Sequence, residues 1–513
     1  MFSVFILLFF LIPFLWLIKT TKAVLFWLYL WQLKEYHIGR FKAHFSTTKG
    51  KHLIFNKLLI LKIILLLSFF FSSVLVGLQL LNFVILLPLI LFFLYLLESA
   101  KTLKDFFQKK LKKPVLTKKT IPILVFTFVL FIFIPIFLWQ KIQQTAFLYD
   151  YPPLHKFCFW LLMIDIFTPA IISLIVLFFQ PITVFWRNRV IKRAEQKREK
   201  FKDLLVIGIT GSYGKTSTKE FLYTILSQKY KDKILKTKEH QNSEIGISQS
   251  ILNDLKPEHK IFICEMGAYN RGGIKLLCDI AKPKIGILTG INEQHLATFG
   301  SQENIIKTKF ELIESLPTDG IAFFNGKNKY CVELYKKTRI KKILYGKEAA
   351  FSGQENILGA MAVAKEIGMN EKDIVMACEK IKDKIGGIEL KKGINGLNII
   401  DATYSANPDS IIAHLDYLKT WQGKKVLVMP CLIELGKASR EVHQRIGRKI
   451  AEVCDLVIIT TKECFEDVKF KENILFLEDP KEIFEKIKDF NEPDDIILLE
   501  SRVPKELLDL LIK

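Results

Sequence analysis

The sequence predicts an α-helical transmembrane region followed by an α/β part made of two domains. Three observations carry this. Five long apolar stretches precede residue 183, the charge balance changes near residue 202, and beyond it short apolar runs alternate with segments of helical period. A chain of 513 residues has room for all three parts.

The apolar stretches run over 2–18, 63–79, 82–97, 121–139 and 158–182. Each approaches the length of about 20 residues that a helix needs to cross a bilayer core. The first lacks a basic leader and a small-residue cleavage site, so it reads as an anchor rather than a removable signal. Ala23–Trp31, after Lys19 and Lys22, is short and rich in Trp, Tyr and Phe, which predicts a separate interfacial helix.

Charge sets the expected topology. Residues 1–202 hold 27 Lys and Arg against 7 Asp and Glu, whereas the remaining residues hold 47 against 45. The basic surplus lies in the loops 32–62, 98–120 and 183–202, while 140–157 has only Lys141, Lys156 and Asp150. Basic loops between apolar spans point to the cytoplasmic face and to anionic lipid as a partner, not to nucleic acid. Five crossings fit these loops with the N-terminus outside, which predicts a multi-pass protein of the cell membrane whose catalytic domains, after 203, are cytoplasmic. Asp165 falls inside the fifth span, where an acid marks a functional site or a contact with another helix. The eight cysteines form no CxxC pair, so reduced thiols and no metal site are expected.

After the basic linker at 186–202, the expected strands are Leu204–Ile209, Ile261–Glu265, Ile285–Thr289, Asn398–Ile400, Lys425–Met429, Leu456–Thr460 and Asp495–Leu499. Their alternation with helices predicts parallel sheets in two domains, 203–387 and 388–513, behind a transmembrane region at 1–185. Gly386–Gly396 is the expected hinge.

The strongest chemical signal is Gly208-Ile-Thr-Gly-Ser-Tyr-Gly-Lys-Thr-Ser217, between a strand and the helix expected over Thr216–Gln228. Glycines at 211 and 214 let backbone N–H groups turn onto phosphate oxygens, and the helix N-terminus adds its positive end. Ser212 and Ser217 lie in the same cradle. Lys215 would reach the terminal phosphates of ATP, and the Thr216 hydroxyl would hold Mg²⁺. The strict P-loop has Gly six residues before the Lys. Here that position is Ile209, and the pattern is GxxGxxGKT.

Further motifs follow in order: Asn242-Ser-Glu-Ile-Gly246, Glu265-Met-Gly-Ala268, Asn292-Glu-Gln-His295 leading to Phe299-Gly-Ser301, Thr308-Lys-Phe-Glu311, Asp401-Ala-Thr-Tyr-Ser-Ala-Asn-Pro408 and Glu434-Leu-Gly436. With TGSYGKTST, this set resembles the Mur ligase family, closest to the branch that adds D-Ala-D-Ala to a UDP-MurNAc-tripeptide. The resemblance covers residues 204–513. It implies a P-loop Mur ligase central domain and a Rossmann-like C-terminal domain. It also implies Glu265 and His295 as ligands of two Mg²⁺ ions, a carbamoylated Lys309, adenine-side positions at Asn325 and Asn356, and a nucleotide contact at Asp401.

The residues agree on chemical grounds. Two hard cations bridging phosphates need carboxylate oxygens. Glu265 closes an apolar strand where parallel sheets place their ligands, and a buried Glu there is costly unless paired or bound to metal. Lys309 alone would read as a solvated helix lysine. Only the resemblance makes it a carbamate.

The implied reaction is attack of a substrate carboxylate on the γ-phosphate of ATP, then displacement of phosphate from the acyl phosphate by an amine. The partners would be a peptide-bearing cell-wall precursor and an amino acid or dipeptide. The sequence departs from the family pattern in several places. The membrane region stands where the family has its UDP-sugar domain. Gly386-Gly-Ile-Glu-Leu390 lacks the usual Arg, Ala402 replaces an Asp, Pro430-Cys-Leu-Ile-Glu-Leu-Gly436 replaces GDMLELG, and Glu355-Asn356 replaces HN. Competing readings are a γ-glutamyl or folate type of ligase, and a membrane P-loop protein without ligase activity.

Overall fold

The computed structural model describes residues 2–45, 48–75, 81–146, 153–239, 241–349, 353–379, 389–403 and 407–512. The chain divides into two compact units, Met1–Trp186 and Arg187–Lys513.

The first unit is a helical bundle of α1 (Phe2–Leu33), α2 (Ile38–His44), α3 (Thr48–Ile54), α4 (Lys57–Leu75), α5 (Leu81–Phe107), α6 (Thr120–Ala146) and α7 (Pro153–Phe178). α8 (Gln180–Glu199) contains the division between the units. Among the described residues, five segments are long and apolar enough to cross a membrane: Leu8–Leu33, Gly50–Ser72, Leu86–Phe107, Thr120–Gln144 and Pro153–Glu199. Inside the bundle, the indole of Trp16 donates to Leu161 O (3.1 Å) and that of Trp31 to Ser173 Oγ (3.0 Å). Large apolar side chains, among them Phe10, Phe71, Leu97, Phe133 and Leu174, are exposed on its outer surface.

One expectation fails here. Ala23–Trp31 is not a separate interfacial helix but the continuation of α1 to Leu33. Lys19 and Lys22 do not end the helix, because each finds a carboxylate on a neighbouring helix, Asp165 and Asp105 respectively. Trp27, Leu28, Leu30 and Trp31 are then buried in the bundle.

The second unit holds two six-stranded sheets. The first comprises β1 (Leu205–Thr210), β2 (Ile234–Lys236), β3 (Ile261–Glu265), β4 (Ile285–Leu288), β5 (Ile321–Asn325) and β6 (Lys341–Tyr345), in the order β2-β3-β1-β4-β5-β6 with every pair parallel. Its strands are apolar at successive positions because both faces are covered. Val206, Phe262 and Cys264 face one core, while Ile207, Ile209 and Ile263 face the other. The helices here are α9 (Lys215–Tyr230), α10 (Glu244–Gln249), α11 (Gly273–Ala281), α12 (Leu296–Phe299), α13 (Gln302–Glu314), α14 (Lys329–Lys337), α15 (Gln354–Glu366) and α16 (Glu371–Glu379).

The second sheet comprises β7 (Glu389–Lys392), β8 (Asn398–Ala402), β9 (Lys425–Met429), β10 (Leu456–Ile459), β11 (Ile474–Phe476) and β12 (Ile496–Glu500), in the order β11-β10-β9-β12-β8-β7. It too is buried on both faces, by α17 (Pro408–Leu418), α18 (Ser439–Val453) and the short α19 (Phe465–Val468) on one side and α20 (Pro480–Ile487) and α21 (Lys505–Leu511) on the other. β7 pairs antiparallel with β8, so residues 389–392 of the expected hinge are an edge strand. The rest of Gly386-Gly-Ile-Glu lies outside the described residues, as do 404–406 of the Asp401–Pro408 motif and Asp150.

The expectation of reduced, unpaired thiols is also overturned. Cys431 and Cys464, 33 residues apart, form a disulfide. The parallel neighbours β9 and β10 bring their following loops together, which no local spacing in the sequence reveals. His443 is buried beside the pair, the three side chains lying within 4.8 Å of one another. Its Nε2 accepts from Leu432 N at 3.0 Å.

Candidate active site

The loop after β1 is shaped by close approaches. Gly214 stands at φ 76°, and a Cβ there would lie 2.3 Å from Asn356 Oδ1. A Cβ on Gly211 would lie 2.1 Å from Thr289 Oγ1. Glycine is therefore required at both positions, by the left-handed backbone at 214 and by crowding at 211. Ser212 N donates to Gly290 O (2.7 Å), and its hydroxyl accepts from Asn292 N (3.2 Å). Lys215 Nζ donates to Gly211 O (2.8 Å) and Ser212 O (3.2 Å), within the loop itself. Burial lowers its pKa, against the opposing effect of Glu265. Lys215, Thr216 and Ser217 occupy the first turn of α9, whose free N–H groups face the loop.

β3 runs beside β1 in register, Ile209 opposite Glu265, which sets Glu265 at the mouth of the loop. The Thr216 hydroxyl donates to its carboxylate at 3.1 Å, and Asn242 Nδ2 to Oε1 at 3.2 Å. Lys219, wholly buried one turn beyond Lys215 on α9, places Nζ 3.2 Å from Oε2. Burial alone would raise the Glu265 pKa, but Lys215, Lys219 and Asn242 together hold it below the usual carboxylate value.

His295 sits at φ 63° between β4 and α12. Its Nδ1 lies 2.6 Å from Glu434 Oε2, and its ring meets Tyr269 edge-on at 4.9 Å. Burial lowers its pKa, Glu434 opposes this, and the positive charges of Lys309 and Lys215 depress it further. Lys309 on α13 is buried, only 3% exposed, contrary to the solvated lysine that its helical spacing suggested. Burial, reinforced by Lys215, lowers its pKa to about 7.

The structure thus brings Lys215, Thr216, Glu265, His295 and Lys309 into one electrostatic neighbourhood. The two residues expected on the adenine side, Asn325 and Asn356, and the expected nucleotide contact Asp401 are arranged differently. Asn325, at the end of β5, uses its side chain on Thr289 O (2.8 Å) and Lys327 N (2.9 Å). Asn356 accepts from the Thr218 hydroxyl (3.3 Å) beside Gly214, so it touches the loop. Asp401 is bonded to Lys391 Nζ (2.7 Å) and to Thr403 N and Oγ1 (3.0 and 2.6 Å), which hold its pKa low despite burial. Among the described contacts, Asp401 joins none of the loop residues.

Several site residues were not singled out from the sequence. Asn292 donates to both Asn407 Oδ1 (3.0 Å) and Asp409 Oδ2 (2.9 Å), and Ala297 N donates to Glu434 O (3.0 Å). With His295–Glu434 these bonds tie the loop after β4 to the second sheet. Asn292, Asn407 and Glu434 all lay inside quoted motifs, which was the available signal. Lys219 and Asp409 lay just beside one.

The donor set suits Mg²⁺. Thr216 and Glu265 offer hard oxygen atoms. His295 has one ring nitrogen on a carboxylate, the arrangement that orients metal-binding imidazoles.

Residues 209–390 match the Mur ligase middle domain, and residues 388–502 match the Mur ligase glutamate ligase domain. The UDP-N-acetylmuramoyl-tripeptide–D-alanyl-D-alanine ligase of Synechocystis is 30% identical over 305 residues, which cover 53% of this chain and 62% of that protein. The Bacillus subtilis ligase of the same name is 30% identical over 278 residues, 48% of this chain and 60% of the relative. The chain therefore spans about three fifths of the length of these curated relatives. Among solved structures, the MurF ligase of Thermotoga maritima in complex with ADP matches with a TM-score of 0.56 and 27% identity, covering 63% of this chain and 83% of that one. Through residues 209–502, more than half of its length, the chain belongs to the Mur ligase family.

Proposed function

We propose that the chain is an ATP-dependent amide-bond ligase of cell-wall precursor synthesis, of the type that adds D-Ala-D-Ala to a muramoyl tripeptide. The observation that carries this is the grouping of Thr216, Glu265, His295 and Lys309 beside the Lys215 loop. The names of the Synechocystis and Bacillus relatives, and the ADP in the Thermotoga structure, support the substrates.

In this reading the substrate carboxylate attacks the γ-phosphorus of ATP and ADP leaves. The amine of the incoming dipeptide then attacks the acyl carbon, phosphate leaves, and the amine proton is lost. Catalysis is mainly positioning and charge stabilisation. The loop from Gly211 to Gly214, apart from the Ser212 N–H held by Gly290 O, offers backbone N–H groups to the phosphates, and Lys215 leaves its loop carbonyls for the terminal phosphate oxygens. Thr216 and Glu265 would hold one Mg²⁺ ion, and His295 with carbamoylated Lys309 a second. Bound there, Mg²⁺ supplies neutralisation of the phosphate charge. Glu434 fixes the imidazole of His295, and the Asn292 bonds to Asn407 and Asp409 hold the second sheet at the site. The Lys309 amine, with its pKa near 7, has the neutral fraction that carbamate formation needs.

The helical unit we read as a multi-pass anchor in the cell membrane with the catalytic domains cytoplasmic, supported by five apolar helices, an exposed apolar surface and the basic loops. We take 1–185 as that anchor, 186–202 as a basic linker, 203–387 as the ATP-binding domain and 388–513 as the closing C-terminal domain. A substrate presented at the membrane would then meet the site at raised effective concentration. Mass spectrometry of products from ATP, Mg²⁺, D-Ala-D-Ala and UDP- or lipid-linked muramoyl tripeptides tests the reading. A product heavier by the dipeptide residue, formed with release of ADP, is expected. ATP hydrolysis that no acceptor alters would overturn it.

A further inference from the structure

We propose that the helical unit holds a binding site for a phosphate ester carried on a hydrocarbon chain. A cavity of about 680 Å³ opens in the bundle, a size typical of small-molecule sites. Its inner end is ionic. Asp165, buried on α7, pairs with Lys19 and, at 2.9 Å, with Lys62, and Lys62 also pairs with Glu98 at 2.8 Å. Ionic groups inside an apolar bundle are costly, and they mark sites of binding or transport.

The charges on this lining do not balance. Two further lysines, Lys22 and Lys101, face the same cavity, so four lysines stand against the two carboxylates of Glu98 and Asp165. Lys22 is shared with Asp105 behind it. Lys101 is exposed and forms none of the described ion pairs, and it shares with Lys22 the field of the single carboxylate Asp105, so one ammonium charge of the four stays uncompensated. A surplus of ammonium groups at the edge of an already satisfied network selects an anion, and lysine is a common point-charge ligand of phosphate.

The remainder of the wall is apolar and aromatic, with Phe26, Phe41, Phe45 and Leu59. The cavity also opens sideways. Ile54, Leu58 and Phe167 line it and are exposed on the outer face of the bundle, the face that would meet lipid tails. A soluble anion needs no such exit, whereas an amphiphile does. The ligand chemistry is therefore a phosphate head at Lys22 and Lys101 with a chain running out past Leu58 and Phe167.

The inference rests on the membrane reading of this unit and not on the ligase chemistry. It is tested on the full chain in phosphatidylcholine nanodiscs, without ATP, with labelled farnesyl phosphate as the probe and empty discs as the blank. Saturable binding is expected, weakened at least about ten-fold in a Lys22→Gln, Lys101→Gln double variant. Ala170→Phe, which fills the cavity from an exposed position, should weaken it similarly, with ATP binding unchanged in both variants. Farnesol binding as tightly as farnesyl phosphate would overturn the phosphate site. Equal competition by inorganic phosphate would overturn the lipid tail. Unaltered binding in both variants would place the ligand elsewhere and overturn the proposal. Carbonate extraction of native membranes reads the membrane assignment separately, and product formation reads the ligase assignment, so the three failures are distinguishable.

Discussion

Nδ1 of His295, on the loop after β4, lies 2.6 Å from Oε2 of Glu434, on the loop after β9, so one hydrogen bond both orients the imidazole and joins the two sheet domains. If His295 is a metal ligand, Glu434 fixes which ring nitrogen is available. Replacing it with Ala should raise the Mg²⁺ concentration for half-maximal turnover by roughly 10- to 100-fold. Glu434→Gln, which keeps a hydrogen-bonding group on the same backbone turn, should lose less. A Mg²⁺ titration of ATP turnover with acceptor present measures both. An Ala variant with the parent's Mg²⁺ dependence would remove His295 from the metal site.

Lys309 gives a pH dependence whose sign follows from its burial. Its pKa is lowered to about 7 in the folded chain, from the 10.5 of an unperturbed lysine. Between those values the unfolded chain binds the extra proton, so this residue's penalty on stability is full below pH 7 and is relieved as pH rises towards 10.5. The same shift makes the amine nucleophilic near neutrality, roughly a tenth neutral at pH 6 and about nine tenths at pH 8. With dissolved ¹³CO₂ held constant, a carbamate carbon resonance should grow between pH 6 and pH 8 and be absent in Lys309→Gln. A resonance that persists in the variant would mean that another amine is modified.

The legible and illegible parts of this chain differ in range. The strand–loop–helix around Lys215 was readable because its chemistry is local: glycines, a lysine and a hydroxyl within ten residues. The parallel strands β1, β3, β4 and β9 were readable as buried apolar runs. β5 and β6 were not among them; β6 opens on Lys341 and Lys342, which interrupt the apolar run. β7 was read as hinge because an edge strand of Glu, Leu and two Lys carries little apolar pattern. Lys309 reads as a solvated helix lysine and Lys219 carries no sequence signal, and only the packing of α13 and α9 against the first sheet buries them. Lys19 and Lys22 looked like the end of a span, and their carboxylates lie 146 and 83 residues away.

Lys219 and Glu265 form a buried ionic pair whose coupling can be measured. Removing one partner of such a pair strands the other charge, at a cost of about 3–5 kcal/mol. Lys219→Met should therefore destabilise the full chain by about that amount, less whatever Lys215 recovers by moving towards Glu265. The carboxylate, now held mainly by Lys215 and Asn242, should have a higher pKa. The stabilisation Glu265 provides, present above its unfolded pKa and lost as pH falls through the folded one, should then vanish at less acidic pH. Unfolding of Lys219→Met, Glu265→Gln and the double variant gives the coupling energy. Strict additivity would show that the two charges are independent.

The disulfide between Cys431 and Cys464 ends three residues before Glu434, so it anchors the loop that orients His295. Closing a loop across a separation of 33 residues stabilises the folded state by about 4 kcal/mol in the chain-entropy account. Chain denatured without reductant should titrate six thiols, those of Cys158, Cys264, Cys278, Cys331, Cys378 and Cys454. Two more should appear after reduction. Reduction should also lower the unfolding midpoint, and it should raise the Mg²⁺ concentration for half-maximal turnover, as Glu434→Ala does, because both free the imidazole. A Cys431→Ser, Cys464→Ser double variant should behave like the reduced chain and ignore reductant. Eight titratable thiols before reduction would show that the bond does not form, and the loop's position would then rest on the His443 contact with Leu432 N and the Ala297 contact with Glu434 O.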